Sequence, residues 1–138
     1  MSDCVFCRII AGELPSSVVH EDERTIAFMD INPASHGHAL VIPKTHSRDL
    51  LEVGPDDLAA CTSAAQMVAT RAVERLGADG VNLLNCCGVD AWQTVFHFHI
   101  HVVPRYRDDP ERDRLKLPWI PEAGDPESVA AAAAALRG

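Results

Sequence analysis

The nine residues Val95-Phe96-His97-Phe98-His99-Ile100-His101-Val102-Val103 hold the pattern that decides the fold. Alternation of histidine with apolar residues is typical of a β-strand, in which successive side chains point to opposite faces. We therefore predict a last, long strand over residues 94–103, with one face of histidines and one face packed on the core. The histidines are His97, His99 and His101, and the apolar residues are Phe96, Phe98, Ile100 and Val102.

The row of histidines indicates a function, because three of the seven histidines of the chain fall on one strand face. Alternate strand positions lie about 6.6 Å apart, so the imidazoles could converge on one metal ion, as in a histidine-ligated zinc hydrolase. Alternatively, one neutral imidazole attacks phosphorus or carbon while its neighbours donate hydrogen bonds. The strand pattern alone leaves both chemistries open.

The rest of the chain supplies the other elements of an α+β fold. Helices are predicted over residues 4–11 and from about 55 to 76, the second with Pro55 in its first position and Gly77 at its end. Strands are predicted over residues 17–20, 25–29, 39–42 and 81–85. A final alanine-rich helix begins near Pro126, with Asp125 as its N-cap. Strands, then a long helix, then two further strands predict an antiparallel sheet.

Composition and charge indicate one globular domain over residues 1–138. The 12 basic and 20 acidic side chains give a net charge of −8, which disfavours general nucleic-acid binding because phosphate contacts need clustered Lys and Arg. No apolar run approaches the ~20 residues that span a bilayer, and the first residues lack a secretory signal, so no membrane partner is expected. Five cysteines without an export signal favour the reducing cytoplasm over a disulfide framework.

Three segments together resemble the histidine triad (HIT) family of nucleotide-binding proteins. They are CVFCRIIAGELP at 4–15, EDERTIAFMDINPASHGHALVIPKTH at 21–46 and QTVFHFHIHVVPR at 93–105. The resemblance covers a core of about residues 4–107, leaves 108–138 as a C-terminal extension, and is closest to the small zinc-bearing bacterial branch near the Hint proteins. It implies a homodimer with a HIT-like antiparallel sheet, one long helix and short terminal helices.

The resemblance also implies a reaction at the α-phosphorus of nucleotides. His99, the middle histidine, would be the nucleophile and form a nucleotidyl-histidine intermediate. His101 would bind a phosphate oxygen or assist the leaving group, and His38 matches another active-site histidine. We expect first a purine nucleoside phosphoramidase acting on AMP derivatives. The alternatives are a dinucleoside polyphosphate hydrolase, a regulatory nucleotide-binding protein with little turnover, or a hydrolase in which the three strand histidines hold catalytic zinc.

Further residues match the nucleotide-binding positions of the family. Asp30 would accept hydrogen bonds from the ribose hydroxyls, and Gln93 and Thr94 would be neutral donors to phosphate. The predicted base pocket consists of Val5, Phe6, Ile9, Phe28 and Ile31. Two departures affect the phosphate loop: Cys86 stands where the family commonly has Asn or Gln, with Asn85 one residue earlier as a replacement, and Trp92 stands where it usually has glycine.

Cys4 and Cys7 have the spacing of zinc ligands, although two cysteines on a short helix are as often buried hydrophobic residues. The resemblance supplies His46 and His97 as the two further ligands of a Cys₂His₂ site. Four protein ligands leave no open position for water, so the expected zinc is structural. His97 would then hold metal while His99 performs the chemistry.

Overall fold

The computed structural model describes residues 3–117 and 121–137. A five-stranded antiparallel sheet has the strand order β1-β2-β3-β5-β4, so the predicted α+β class is confirmed. The strands are β1 (Val18–Glu21), β2 (Thr25–Met29), β3 (Ala39–Pro43), β4 (Gly80–Leu84) and β5 (Ile100–Arg105). The helices are α1 (Val5–Ile10), α2 (Pro55–Leu76), the short 3-10 helix Val89–Ala91 and α3 (Pro126–Leu136).

The long helix α2 covers one face of the sheet. Pro55 occupies its first turn, and Gly77 ends it in the left-handed conformation with φ 72°, which glycine adopts without a Cβ penalty. Apolar residues recur on its buried side and pack on those of β2, β3 and β5. This core contains Ala27, Ala39, Val41, Cys61, Ala64, Ala65, Val68, Phe98, Ile100 and Val102.

The opposite face of the sheet is covered only in part, by the short helix α1. Strand alternation sends Leu40 and Ile42 of β3 to this face, where they pack with Phe6 of α1. The rings of Phe6 and Phe28 meet edge to face, with centroids 5.4 Å apart. Because α1 spans only six residues, part of this face stays open, and the histidine segment borders the opening.

The predicted strand over residues 94–103 is wrong in its first half, since β5 begins only at Ile100. The backbone groups of this half form hydrogen bonds with a side chain and a loop and not with a neighbouring strand. The carbonyl of His97 accepts from the ring of His99, and the amide of Phe98 donates to the carbonyl of Ser47. Phe98 is buried as predicted, but Phe96 is 41% exposed and does not join the core. Alternation therefore predicts the side-chain directions only from Phe98 onward.

The chain after β5 returns across the loop between β2 and β3 before it reaches α3. Asp113 forms an isolated bridge with Ser35 of that loop. Asp125 caps α3 by accepting from the amide of Ser128, as the sequence predicts, and the residues of α3 are almost all exposed. Among the residues that the structure describes, no helix is long and apolar enough to cross a membrane.

Candidate functional site

A cavity of about 340 Å³ opens between α1, the end of β2 and the histidine segment. Its walls are mainly apolar, and its polar side chains gather at one end, as in small-molecule sites. The apolar lining consists of Val5, Phe6, Ile9, Leu14, Pro15, Phe28, Met29, Ile31, Leu40 and Val95. The polar lining consists of Ser16, Asp30, Asn32, Thr94, His99 and His101. The structure thus brings together the five apolar residues predicted for the base with Asp30, Thr94 and two histidines.

His99 is buried at the polar end of this cavity. Its Nδ1 lies 2.8 Å from the carbonyl oxygen of His97, and a carbonyl only accepts, so Nδ1 carries the proton. Nε2 therefore has a free lone pair. Burial lowers the pKa of His99 below its usual value, which keeps the imidazole neutral. A buried, neutral imidazole with a defined lone pair is a competent nucleophile.

A second chain of hydrogen bonds orients His101, and we call it the histidine relay. The backbone N–H of Ala34 donates to Nδ1 of His38 at 2.9 Å, so the proton of His38 must sit on Nε2. That Nε2 lies 2.9 Å from Nδ1 of His101 and donates to it. The proton of neutral His101 is then on Nε2. His101 consequently presents an N–H group beside His99, whose ring centroid lies 4.9 Å away.

Burial keeps the relay neutral. It lowers the pKa of His101 to about 4, and it lowers the pKa of His38 although the nearby carboxylate of Asp30 opposes that shift. Oδ2 of Asp30 lies 3.5 Å from Nε2 of His38, while Oδ1 accepts from the amide of Asn32 at 2.8 Å. At neutral pH the relay therefore donates hydrogen bonds without a full positive charge.

Four sulfur and nitrogen ligand atoms converge on the other side of His99, and we call them the Cys₂His₂ cluster. They belong to Cys4, Cys7, His46 and His97, and all lie within 4.8 Å of one another. Nδ1 of His97 is 3.6 Å from Sγ of Cys4, 3.5 Å from Sγ of Cys7 and 3.1 Å from Nδ1 of His46. Tetrahedral zinc, with bonds of about 2.3 Å to sulfur and about 2.0–2.1 Å to nitrogen, places its ligand atoms about 3.3–3.8 Å apart.

The protonation of His97 also fits a metal ligand. Its Nε2 donates to the carbonyl of Pro43 at 2.8 Å, which leaves the Nδ1 lone pair aimed at the cluster. Burial lowers the pKa of His97 to about 4, so the ring is neutral and able to coordinate. The donor set and the spacing both fit zinc. The Cys₂His₂ cluster thereby brings helix α1 together with the segment that leads into His99.

The alternative with three strand histidines on one metal does not match this geometry. Among the described residues, the metal-type clusters are the Cys₂His₂ cluster and a group of Asp30, His38 and His101, and neither contains His99. In the second group, the amide of Ala34 occupies Nδ1 of His38, so Nε2 carries hydrogen and offers no lone pair. The histidines of the triad instead have separate partners.

Two residues predicted to contact the nucleotide lie outside the cavity lining. Asn85 donates from Nδ2 to the carbonyl of His99 at 2.9 Å, so it holds the backbone that carries the nucleophile. Gln93 is buried; its amide nitrogen donates to the carbonyls of Arg48 and Val95, and its oxygen accepts from the amide of Gly88. Both side chains brace the loop before β5, and their roles as phosphate donors stay predictions.

Trp92, which departs from the family pattern, has φ 72° and is 82% exposed. Positive φ is the conformation that glycine tolerates best, which gives a physical reason for the glycine usual at this position. Cys86, the other departure, is half-buried, and burial raises the pKa of its thiol. It is therefore a protonated thiol at neutral pH.

The sequence did not indicate several parts of this site. Backbone groups of Ala34, Pro43 and His97 set the tautomers, and backbone groups have no sequence signature. Leu40 and Val95 complete the apolar wall, and their positions within the strands predicted over residues 39–42 and 94–103 were the available signal.

Comparison with known protein families gives a match over most of the chain. The model of the HIT domain family matches residues 11–108. The adenylylsulfatase HINT3 of Arabidopsis thaliana is 44% identical over 122 residues, which are 88% of this chain and 58% of that protein. This chain thus spans less than two thirds of the length of that relative.

Solved structures agree with the fold, and one of them is a zinc-bound protein. A Zn-bound histidine triad family protein from Mycobacterium smegmatis is 44% identical, with a TM-score of 0.76 over 80% of this chain and 82% of that chain. A histidine triad nucleotide-binding protein from Candida albicans is 31% identical, with a TM-score of 0.83 over 97% of this chain and 94% of that chain.

Proposed function

This chain belongs to the HIT family of nucleotide hydrolases and nucleotide-binding proteins, and we propose that it is a purine nucleoside phosphoramidase acting on adenosine 5′-monophosphate derivatives. The observation that carries the proposal is the pair of complementary imidazoles in the cavity. His99 has a free lone pair on Nε2, and His101 offers an N–H beside it. A nucleophile and a hydrogen-bond donor on one side of an apolar pocket suit attack on a phosphoryl group.

The first step of the reaction is attack of His99 Nε2 on the α-phosphorus. A bond from nitrogen to phosphorus forms, and the bond from phosphorus to the leaving amine breaks. The His99 ring becomes positively charged, and the carbonyl of His97, which accepts from Nδ1, stabilises that charge. His101 donates a hydrogen bond from its Nε2–H to the phosphoryl oxygen or to the departing nitrogen and keeps the proton. The departing nitrogen takes its proton from solvent and leaves as the neutral amine.

In the second step, water attacks the phosphorus of the nucleotidyl-histidine. The bond from phosphorus to His99 breaks, nucleoside monophosphate is released, and the neutral imidazole is restored. The proton of the attacking water passes to solvent, and His101 keeps its own proton. The low pKa of His101 keeps its ring neutral in both steps.

The nucleoside is held mainly by apolar contact. Phe6 and Phe28 meet edge to face in the cavity wall, where a planar base can pack against them. Asp30, at the polar end, is placed to accept from the ribose hydroxyls. Ile31 is 89% exposed, so it covers the mouth of the pocket and not its floor.

The Cys₂His₂ cluster is proposed to bind structural zinc. The four ligand atoms leave no position for substrate or water, so zinc supplies rigidity and no reacting group. Its ligands join α1, which forms the base pocket, to the segment just before His99. The Zn-bound relative from Mycobacterium smegmatis supports the metal, and the similarity to the Arabidopsis protein HINT3 supports the assignment to the Hint-like branch.

A homodimer in the cytoplasm is the proposed assembly. β4 is an edge strand of the sheet, and its Leu83 is 45% exposed. A shallow depression beside it is lined by β4 and the outer side of α2, through Gln66, Ala69, Val81 and Leu83 among others. An apolar sheet edge is a surface that a second copy can cover by strand pairing.

A second candidate has sulfate as the leaving group. The Arabidopsis relative is named an adenylylsulfatase, and cleavage of an adenylyl sulfate would use the same attack at the α-phosphorus. Sulfate leaves as a stable anion and needs no proton, so this reaction would depend little on the N–H of His101. The effect of substitutions at His101 therefore separates the two leaving groups.

The test is a substrate panel with the purified protein. Adenosine and guanosine 5′-phosphoramidates, adenylyl sulfate, an aminoacyl adenylate and a dinucleoside polyphosphate are compared by kcat/KM. We expect the adenosine phosphoramidate to be the preferred substrate and radiolabelled AMP to be trapped on His99. Preference for adenylyl sulfate or for the dinucleoside polyphosphate would replace the proposed substrate, and tight AMP binding without turnover would favour a regulatory protein.

A further inference from the structure

Residues 112–114, which we call the clip, lie beyond the match to the HIT domain at 11–108. They run along the loop between β2 and β3. The amide of His36 donates to the carbonyl of Arg112 at 2.7 Å, and the amide of Arg114 donates to the carbonyl of Ala34 at 2.9 Å. The guanidinium of Arg114 also donates to the carbonyl of Pro33 at 3.0 Å. The clip therefore pairs with the loop on both sides of Ser35.

Asp113 fastens the clip to β5. Its carboxylate accepts from Nε of Arg105 at 2.9 Å and from the amide of Tyr106 at 2.9 Å. Arg105 is itself held by Oδ1 of Asn82, at 2.7 Å, and by the carbonyl of Leu115. The Asp113 side chain is only 9% exposed, so the ion pair is screened less than a surface pair.

The loop held by the clip supplies the first donor of the histidine relay. Ala34, whose carbonyl accepts from the clip, directs its own N–H at Nδ1 of His38. Ser35, the bridge partner of Asp113, accepts at its carbonyl from the amide of His38. The hydroxyl of Tyr106 donates to the carbonyl of His36 at 2.7 Å. The backbone on both sides of the Ala34 amide is thus fixed from outside the pocket.

We propose that the clip is a positioning element for catalysis, with Asp113 as its key residue, because it holds the Ala34 amide in the place that selects the tautomer of His38 and, through it, that of His101. The inference rests on the proposed function for its effect on rate. Its effect on the tautomers belongs to the resting protein and needs no substrate.

The consequence of losing the clip follows from the direction of the hydrogen bonds. Without the Ala34 donor, His38 can carry its proton on Nδ1, and its Nε2 then accepts from Nδ1 of His101. His101 would turn a lone pair toward the phosphoryl group, where it cannot donate. Loss of one such donor typically reduces kcat by about 10²-fold or more. A partial shift of the tautomers should reduce kcat about tenfold, with little change in KM.

The experiment compares Asp113→Ala with Asp113→Asn and Glu111→Ala. The side chain of Asp113→Asn keeps an oxygen that can accept from the Tyr106 amide. This variant should therefore recover part of the kcat that Asp113→Ala loses. Glu111 is exposed in the same segment, and its substitution removes the same charge. ¹⁵N chemical shifts of His38 and His101 report the tautomers of the zinc-loaded protein, and kcat and KM are measured on the adenosine phosphoramidate.

We expect Asp113→Ala to increase the Nδ1–H form of His38 and to lower kcat, while Glu111→Ala matches the wild type. Where Asp113→Ala fails to fold, Arg114→Ala gives the same readouts, because it removes only the bond to the Pro33 carbonyl. Unchanged tautomers and unchanged kcat in a folded variant would overturn the proposal. A wild-type protein that cleaves no member of the panel would overturn the proposed function, and the tautomer shift would still decide the role of the clip.

Discussion

The Cys₂His₂ cluster and the histidine relay are both built from imidazoles within a few residues of each other, but their hydrogen bonds run in opposite ways. In the cluster, the Pro43 carbonyl accepts a hydrogen bond from Nε2 of His97, and the Nδ1 lone pair of His97 faces Nδ1 of His46 across 3.1 Å. In the relay, the backbone supplies a proton to His38, and each following nitrogen alternates between acceptor and donor. The converging ligand atoms of the cluster can hold a cation between them, whereas the alternating donors and acceptors of the relay need none.

This comparison shows that one backbone contact decides the chemistry of a buried histidine. The carbonyl of Pro43 leaves Nδ1 of His97 available to bind a metal, and the amide of Ala34 leaves Nε2 of His38 as a hydrogen-bond donor. His99 lies between them and has its proton held by the His97 carbonyl. His97 and His99, two positions apart, therefore carry their protons on different ring nitrogens, which suits them to the different tasks proposed for them.

The largest effect is expected from removal of the nucleophile. His99→Ala should reduce turnover of the adenosine phosphoramidate by about 10⁴-fold or more, because a covalent route cannot start without it. AMP binding should change little, since the apolar wall and Asp30 remain. Single-turnover kinetics and calorimetric titration with AMP measure the two effects.

His97→Ala provides the contrast within the triad. This variant should lose its zinc and part of its free energy of unfolding. Its activity should fall only to the extent that the loss of zinc displaces the segment before His99. Wild-type turnover in His99→Ala, or a nucleotidyl-enzyme trapped equally in that variant, would refute the assignment of the nucleophile.

Removal of the metal is expected to have the next largest effect, and on folding first. In Cys4→Ser/Cys7→Ser, about one zinc per chain should be lost, and the free energy of unfolding should fall by several kcal/mol, since structural zinc binding is itself folding free energy. Elemental analysis and urea unfolding make the measurement. Cys61→Ser is the matched control, because this buried cysteine lies in α2 within the main core. It should lose stability but keep its zinc.

Removal of the metal with a chelator is the measurement that could contradict a structural role for zinc at this site. If chelated wild-type protein keeps its unfolding midpoint but stops turning over substrate, the metal is catalytic and the separation of the two histidine groups fails.

The side-chain chemistry of both groups could be predicted from the sequence, but the backbone contacts could not. The family resemblance placed Cys4, Cys7 and His46 with His97, and the structure brings their ligand atoms together. Alternation predicted one long strand, but β5 starts at Ile100 because the ring of His99 bonds the carbonyl of His97. A polar side chain that bonds to nearby backbone competes with the strand ladder, and hydrophobic periodicity does not report this competition.

Gln93 shows the same limit of prediction from sequence, here for the contacts of a polar side chain. A polar residue next to a predicted phosphate site is expected to face the ligand, whereas here its amide bonds three backbone groups of the surrounding loops. The long helix α2 was predicted to the residue, since its proline start and glycine end are local signals.

The pH dependence of stability should separate the relay from the rest of the molecule. The pKa of His101 falls from about 6.5 to about 4 on folding, so the unfolded chain binds more protons between these values. The stability from this group is complete above pH 6.5 and is lost as the pH falls toward 4. In His101→Gln, the decline between pH 6.5 and 4 should be shallower, by at most about 1.4 kcal/mol per pH unit, and less because the side chain is partly exposed.

Urea unfolding of zinc-saturated protein at several pH values measures this difference. Loss of zinc at low pH weakens both proteins alike, so the difference between them belongs to His101. Equal slopes in the two proteins would mean that His101 is not held neutral by the fold.

The smallest effect is expected from an exchange of one zinc ligand for another. His46 is the exposed member of the cluster, and its Nδ1 is the atom that faces the other ligand atoms. A cysteine sulfur reaches nearly as far from the backbone as Nδ1 of histidine, and Cys₃His sites bind zinc as Cys₂His₂ sites do. His46→Cys should therefore keep one zinc per chain, with a change in unfolding free energy of about 1 kcal/mol or less and unchanged kcat.

The matched exchange in the relay, His38→Asn, conserves a polar side chain but offers no ring to pass the hydrogen bond from Ala34 to His101. It should lower kcat while zinc content stays constant. Loss of zinc in His46→Cys together with full activity in His38→Asn would contradict the assignment of the two groups. The first result would mean that the Cys₂His₂ cluster depends on hydrogen-bond geometry, and the second would mean that the histidine relay does not.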